Sequence, residues 1–436
     1  MLSTMFKKTG CILFLMLVLA SVASATVTIR ITQGVDSPVR IAVVPFLGNT
    51  SASTDLAGVI SNNLSLSGRF HPLSTNRFPG MPSSQQSILF RDWRLLQQEF
   101  IVIGRMERLN NGGYRATMEL YDVFTGQAAM SPVSRQVDSA DQLRDIAHAF
   151  SDVIYQQITG TRGMFSTQLA YVVKEGASAN EEYRIEVADW DGARARVVYR
   201  SEQPILSPSW SADGRRLAFV NFDSQGLSLI RELNLTNGQV RELVNFPGIN
   251  TGPAFSPDGR ELAFVSSHEG SANIYVMNLS NNRVRALTNH SAIDTEPAWT
   301  ADGRNIIFTS DRGGTPQLYM VASNGGQIQR LTFTGNFNAR SQVSSDGRYV
   351  IFVHVNNGNF NIAAMDLQTR DMRILTRADF DESPSLAPNG SMLVYSTRQQ
   401  GTGALAWVSV DGLVRSNMPS IRGDVREPAW SPFLSP

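Results

Sequence analysis

Six acidic residues stand a few positions ahead of a recurring apolar anchor beyond residue 200: Glu202, Asp294, Glu296, Asp381, Glu382 and Glu427. Two carboxyls facing each other across roughly 5 to 10 Å can serve as acid and base on a glycosidic bond. The same residues can form a docking rim for a partner, or remain solvated turn acids. Other chemistry leaves less trace. The nearest approach to a nucleophile elbow, Gly176-Ala177-Ser178-Ala179-Asn180, lacks the closing glycine and the strand-turn-helix setting that the motif requires. Gly401-Thr402-Gly403-Ala404-Leu405-Ala406 matches a relaxed dinucleotide fingerprint but opens no helix, and reads as a hairpin turn. The five histidines, His71, His148, His268, His290 and His354, form no zinc-ligand spacing, and no cysteine lies beyond Cys11. Asp189-Trp190-Asp191-Gly192 starts like a calcium loop without the closing glutamate. The expectation is no catalytic residue, no cofactor and no metal.

The elements that carry these acids announce themselves as a repeat. Pro208-Ser209-Trp210-Ser211-Ala212-Asp213-Gly214-Arg215 is echoed from Pro253, from Pro297, more loosely from Ser344 and Pro384, and a last copy begins at Pro428. The anchors Trp210, Phe255, Trp299, Val343, Leu386 and Trp430 are spaced by 45, 44, 44, 43 and 44 residues. Each unit offers four short strands between turn signals, which is one propeller blade. The segment 168–200 supplies three strands without a first one, and 428–433 supplies a first strand without the rest. Joining them predicts six blades and a closed ring with no free edge. Asp-Gly suits a tight turn, the aromatic fills the wedge between blades, and the loops before the first strands ring one mouth of the axial channel.

Residues 38–162 read as a small α/β domain. They offer a buried strand over 39–46, a helix over 55–66 and a second strand at 100–104. An alternating strand places Tyr114, Ala116, Met118 and Leu120 on one side. A long helix from Ser139 has Gln142 as its capping-box partner and Gly160 as its stop. At the start, Lys7 and Lys8, an apolar run over 11–20 and Ala23-Ser24-Ala25 form a secretory signal peptide cut between Ala25 and Thr26, too short for a membrane span. Its removal takes the only cysteine and leaves 36 basic against 38 acidic residues, so the mature chain has neither a disulfide nor the positive field of a nucleic-acid binder. Export of such a chain points to a bacterial periplasm. The predicted organisation is a signal peptide (1–25), an arm (26–37), an α/β domain (38–162) and an all-β six-bladed propeller (163–436). In the arm Val27, Ile29 and Ile31 alternate with Thr28, Arg30 and Thr32. That pattern suits an edge strand of its own domain or a strand lent to a partner.

Three features together carry a resemblance: the stretch Ile29-Arg30-Ile31-Thr32-Gln33-Gly34-Val35-Asp36 within the arm that starts at Thr26, the strand Ile41-Ala42-Val43-Val44-Pro45-Phe46, and the six repeats ending in Glu427-Pro428-Ala429-Trp430-Ser431-Pro432. The chain resembles the TolB family of the Tol-Pal cell-envelope system over all of its mature length. The resemblance implies a non-enzymatic periplasmic adaptor. Members bind the peptidoglycan-associated lipoprotein Pal at one propeller mouth and offer the arm to the C-terminal domain of TolA. They support outer-membrane integrity and invagination during division, and some colicins exploit them. Carried over, the Pal surface includes Ile249, Asn250 and Thr251, and Asp294, Thr295 and Glu296, with Ile249 standing where the family often has histidine. The polar ring expected around that mouth adds Asn338, Arg340, Asp381 and Glu382. From the residues alone, a propeller that binds or hydrolyses a small molecule or glycan stays open.

Overall fold

The computed structural model describes residues 37–48, 54–176, 180–418 and 421–434. The predicted signal peptide, its cleavage point at Ala25 and Thr26, and arm residues 26–36 lie outside the described residues, as does Ser178.

The first described elements form a five-stranded sheet. Strands β1 (Val39–Val43), β2 (Phe70–Pro72), β3 (Phe100–Arg108), β4 (Tyr114–Asp122) and β5 (Val133–Val137) lie in the order β2-β1-β3-β4-β5, with β1 parallel to both its neighbours and the remaining pairs antiparallel. Helices α1 (Leu56–Leu66) and α3 (Leu143–Thr159) cover one face, meeting Ile41, Val43, Ala116, Met118 and Leu120. The short helix α2 (Phe90–Leu95) lies over the other face, where Trp93 meets Ile101, Ile103 and Tyr121. Alternation along β4 therefore feeds two cores, one on each side of the sheet.

Four details depart from the expected elements. β1 ends at Val43, and β3 runs four residues beyond Gly104. β2, three residues long, and β5, reading Val-Ser-Arg-Gln-Val with an exposed middle, lack the apolar periodicity that betrays a strand. The capping box does not form. Residues Ala140–Gln142 make a 3-10 turn instead, and the Gln142 side chain accepts the backbone N–H of Asp138 at 3.2 Å. Gly160 does end α3, in the left-handed conformation.

From Gln168 onward the chain builds six four-stranded sheets. Blade 1 has Gln168–Glu175, Glu182–Asp189 and Arg196–Ser201, closed by Asp424–Trp430 from the far end of the chain, with Trp430 opposite Leu169 and Asp424 opposite Lys174. The first strands of blades 2 to 6 are Leu206–Trp210, Asn250–Phe255, Asp294–Trp299, Phe337–Val343 and Glu382–Leu386.

The repeated residues have local reasons. Ser211 donates to Asp213, whose carboxylate also accepts the Arg215 N–H, while the Ser211 hydroxyl accepts the Arg216 N–H; Gly214 turns the chain at φ 69°. Serine, aspartate and glycine thus make a self-contained turn wherever the unit recurs. The anchor indoles tie blade to blade: Trp210 Nε1 donates to the Ala429 carbonyl at 2.9 Å and Trp299 Nε1 to that of Ala254 at 3.0 Å. Gly401 (φ 84°) turns the hairpin between Met392–Gln399 and Thr402–Ser409, which disposes of the dinucleotide reading.

The α/β domain sits on the ends of the strands opposite the loops that precede the first strands. Met164 and Phe165, in the short connection, join one apolar cluster with Phe150 and Tyr155 from α3 and Tyr171, Trp190, Trp407 and Trp430 from the propeller. Phe165 packs edge-on to Trp190 at 5.4 Å, and Trp190 stacks on Trp430 at 6.4 Å. Gly68 lies so close to Val414 that any side chain there would displace blade 6.

Candidate functional site

At the open mouth, every first strand breaks register with its neighbour about three residues before the anchor. The residue at that bulge is left-handed in all six: Ser207 (φ 51°), Gly252 (58°), Glu296 (56°), Arg340 (53°), Ser383 (51°) and Glu427 (52°). Only one is glycine, so five side chains are held there at a cost of roughly 1 to 2 kcal/mol each. Bulges re-aim side chains. These six, with Thr251 and Thr295, line a cavity of about 310 Å³ in the axial channel.

Arg340 of blade 5 is the hub of that ring. Its Nε donates to Glu296 of blade 4 at 3.0 Å, another nitrogen lies 3.5 Å from Glu427 of the closing strand, and a third reaches Ser383 of blade 6. Glu296 also accepts the Arg340 N–H at 2.8 Å and the Thr309 hydroxyl at 2.9 Å, and Glu427 accepts the Ser207 N–H at 2.6 Å. Each glutamate thus satisfies the bulged amide of the following blade. Burial would release the Arg340 proton more readily, but Glu427, Glu296 and Glu382 outweigh it and hold the guanidinium charged.

The predicted ring splits in two. Thr251, Thr295, Glu296 and Arg340 line the channel. Asn250, Asp294, Asn338 and Asp381 do not: each is fully buried inside a blade. A strand presents alternate residues to opposite sides, and these four stand two residues before the bulge, where the side chain enters its own sheet. Asn250 donates to the Ser228 and Phe246 carbonyls, Asp294 pairs with Arg312 at 2.7 Å, and Asn338 donates to Gln317 and the Thr334 carbonyl. Glu382 is half-buried and has no ion-pair partner among the described residues. Burial raises its carboxyl above the ordinary range, against the pull of Arg340.

Of an apolar crescent on the same face, the sequence reading named only Ile249. Ile249 and Ile293, equivalent positions of blades 3 and 4, are each 56% exposed, Phe333 in the next such loop is 74% exposed, and Leu227 beside them is 45% exposed. The Ile249 and Ile293 amides are fixed at 2.9 Å, by Ser267 Oγ and Asp311 Oδ1, which holds both loops in place. Large apolar residues among turn-formers were the available signal, since a loop gains nothing from exposing them.

For glycoside cleavage, one carboxylic acid must stand free to protonate a leaving group. The two acids that line the channel, Glu296 and Glu427, are instead locked to one guanidinium, and Glu382, unpaired and raised by burial, is not part of that lining. The one metal-like grouping among the described residues is His148, Asp189 and Asp191, with ligand atoms within 4.8 Å of one another. It lies at the opposite end, and the two carboxylates already face two arginines: Arg144 at 3.2 Å from Asp189 and 2.6 Å from Asp191, and Arg194 at 2.9 Å from Asp189. His148 completes the group at 3.3 Å from Asp189 and meets Asn63, which accepts the Trp190 indole N–H at 3.2 Å. Burial would raise the Asp189 carboxyl, but His148 and Arg194 hold it far below the ordinary range. A cation would meet two guanidiniums there, so the cluster is an interdomain latch.

Comparison with known proteins agrees with this architecture. Residues 27–129 match the family described as TolB amino-terminal domain, and residues 155–434 the family described as TolB beta propeller domain. The chain is 53% identical over 412 residues to a "Tol-Pal system protein TolB" of Alcanivorax borkumensis, covering 94% of both chains. It is 50% identical to its namesake from a Marinomonas species, covering 99% of this chain and 100% of that one. The crystal structure of TolB from Acinetobacter baumannii superposes with a TM-score of 0.84 at 39% identity, over 91% of this chain and 97% of that one. Among the described residues no helix is long and apolar enough to cross a membrane. With both halves matched and relatives aligned along nearly its full length, the chain belongs to the TolB family of the Tol-Pal system, whose members are adaptors and not enzymes.

Proposed function

We propose that this chain is a periplasmic adaptor that binds Pal at the propeller mouth and TolA through the arm Thr26 to Asp36, supporting outer-membrane integrity and invagination during division. The observation that carries the reading is the asymmetry of the propeller. One end is covered by the α/β domain, and the other presents a concave, charged channel with Thr251, Thr295, Glu296 and Arg340, rimmed by Ile249, Ile293 and Phe333. Protein partners take such surfaces when an apolar anchor fills a pocket and polar groups fix its orientation. The arm enters as a strand: Val27, Ile29 and Ile31 lie on one side of an extended chain and would bury together on a partner sheet. Signal cleavage between Ala25 and Thr26 would free that arm at the mature N-terminus.

Two titrations test the reading. The protein beginning at Thr26 should bind the soluble domain of Pal one to one, and the C-terminal domain of TolA should bind it only while residues 26–36 are present. Absence of Pal binding would overturn the mouth assignment, and TolA binding unchanged by deletion of the arm would overturn the second half.

A further inference from the structure

Asp381 is the one fully buried carboxylate of the described residues for which neither oxygen finds a hydrogen-bond partner among them. Its equivalents in the other blades show what the position demands. Asn250 donates to the carbonyl four residues back, that of Phe246, at 2.6 Å, and Asn338 does the same to Thr334 at 2.8 Å. Asp294, at the same place, has Arg312 on both oxygens. The site thus calls for a donor or for a paired charge, and an ionised Asp381 has neither.

The consequences fall on the mouth. Asp381 immediately precedes Glu382, and Ser383 is the bulge residue that holds Arg340. Its own N–H donates to the Phe360 carbonyl at 2.9 Å, fixing the loop in which Phe380 packs on Phe360 at 5.5 Å. We propose that Asp381 is an acid-dependent strut of the mouth wall: as a neutral carboxylic acid it donates as asparagine does in blades 3 and 5, and as a carboxylate it loosens residues 376–383.

The surroundings favour the neutral form. Burial pushes the carboxyl above its ordinary range and outweighs the Thr376 and Thr397 hydroxyls, the Ala378 N–H and the charge of Arg415, which lie near enough to pull it down but none of which closes a hydrogen bond on it. Arg415 is committed to the Leu375 carbonyl, and Asn361 donates to that of Ala378. From the second strand of blade 6, Tyr395 faces the group as a neutral phenol, its own pKa pushed up to about 12, and Arg398 is spent over the Phe380 ring at 4.3 Å. Glu382, the adjacent carboxyl, is itself raised by burial. No charge on any of these elements is free to receive a carboxylate at Asp381.

The sign of the pH effect follows from linkage. A carboxyl whose pKa is higher folded than unfolded holds a proton in the native state that the unfolded chain has lost, so stability falls as pH rises towards the folded pKa. The test compares melting temperatures of the wild type and Asp381→Asn between pH 5 and 8, with Asp381→Ser in reserve should the amide fail to fold. The account expects the variant to gain on the wild type as pH rises, by several degrees at pH 8 and by nothing at pH 5. A difference that is constant with pH, or that favours the wild type at pH 8, overturns it. The regulatory half rests on the mouth being the Pal site. Pal affinity of the wild type should fall several-fold over the same interval while that of Asp381→Asn stays level, and parallel profiles would refute it. Failure of the wild type to bind Pal at any pH would sink the functional reading and the regulation with it, while the melting series would still decide the state of Asp381.

Discussion

The two ends of the propeller are built from the same repeat and resolve their charges in opposite ways. At the covered end, Asp189 and Asp191 meet Arg144 and Arg194, His148 and Asn63 complete the network, and Trp190 and Trp430 stack beneath it. At the open end, two glutamates, Glu296 and Glu427, share Arg340, Glu382 is left without an ion pair among the described residues, and Ile249, Ile293 and Phe333 face solvent. A repeat alone would make both ends alike. The difference teaches that charges are fully paired where the domains meet, and that groups are left unsatisfied at the end which the proposed function assigns to a partner.

The widest gap should appear in stability. Asp189→Asn removes the one carboxylate that Arg144, Arg194 and His148 share, leaving Arg144 only Asp191 and Arg194 only the half-exposed Asp145, and should destabilise the protein by roughly 3 kcal/mol at pH 7 while leaving Pal affinity unchanged. The Asp189 carboxyl is depressed in the folded state, so this contribution is present above the unfolded pKa of about 4 and is lost as pH falls below it. The two ends are thus expected to respond to pH with opposite signs, which denaturant melts at pH 3 to 8 can read.

Thr295→Arg should do the reverse. It places a second guanidinium beside Arg340 in the 310 Å³ cavity, and should weaken Pal binding by about 100-fold, near 2.7 kcal/mol, with little change in melting temperature. Arg340→Ala blurs the comparison by touching both properties. It unpairs Glu296 and Glu427, whose pairing is partly screened because a third of the Arg340 side chain is exposed, so a stability loss of about 1 to 2 kcal/mol is expected together with weaker Pal binding. The smallest effect belongs to Phe333→Ala. Removing an exposed ring should cost about 1 kcal/mol of Pal affinity by calorimetry and nothing in stability; an unchanged affinity would confine the interface to the polar channel.

The fold was legible because its signals are local and repeated. The Ser-x-Asp-Gly turn closes its own hydrogen bonds, an apolar anchor, aromatic in four of the six units, recurs every 44 residues or so, and the chain's last strand completes the first blade. The elements that escaped, β2 and β5, are short edges whose pairing comes from their neighbours rather than from their own pattern.

The site was legible only to the level of loops. Sequence placed Asn250, Asp294, Asn338 and Asp381 on the mouth, and the structure turns them inward because register decides facing and a bulge two residues later resets it. Nothing in the identity of Glu296 or Arg340 announces a left-handed backbone, a conformation held by tertiary contacts against local preference. The latch was invisible for another reason: His148 and Asp189 lie 41 residues apart and in different domains.

Hydrogen exchange of the chain from Thr26, with and without saturating soluble Pal, tests the division between the two ends most directly. Slowed exchange over 246–252, 290–296 and 332–340, with 143–159 and 186–194 unchanged, is the result this account predicts. Protection centred on α3 and the latch, with the mouth loops exchanging as before, would contradict it.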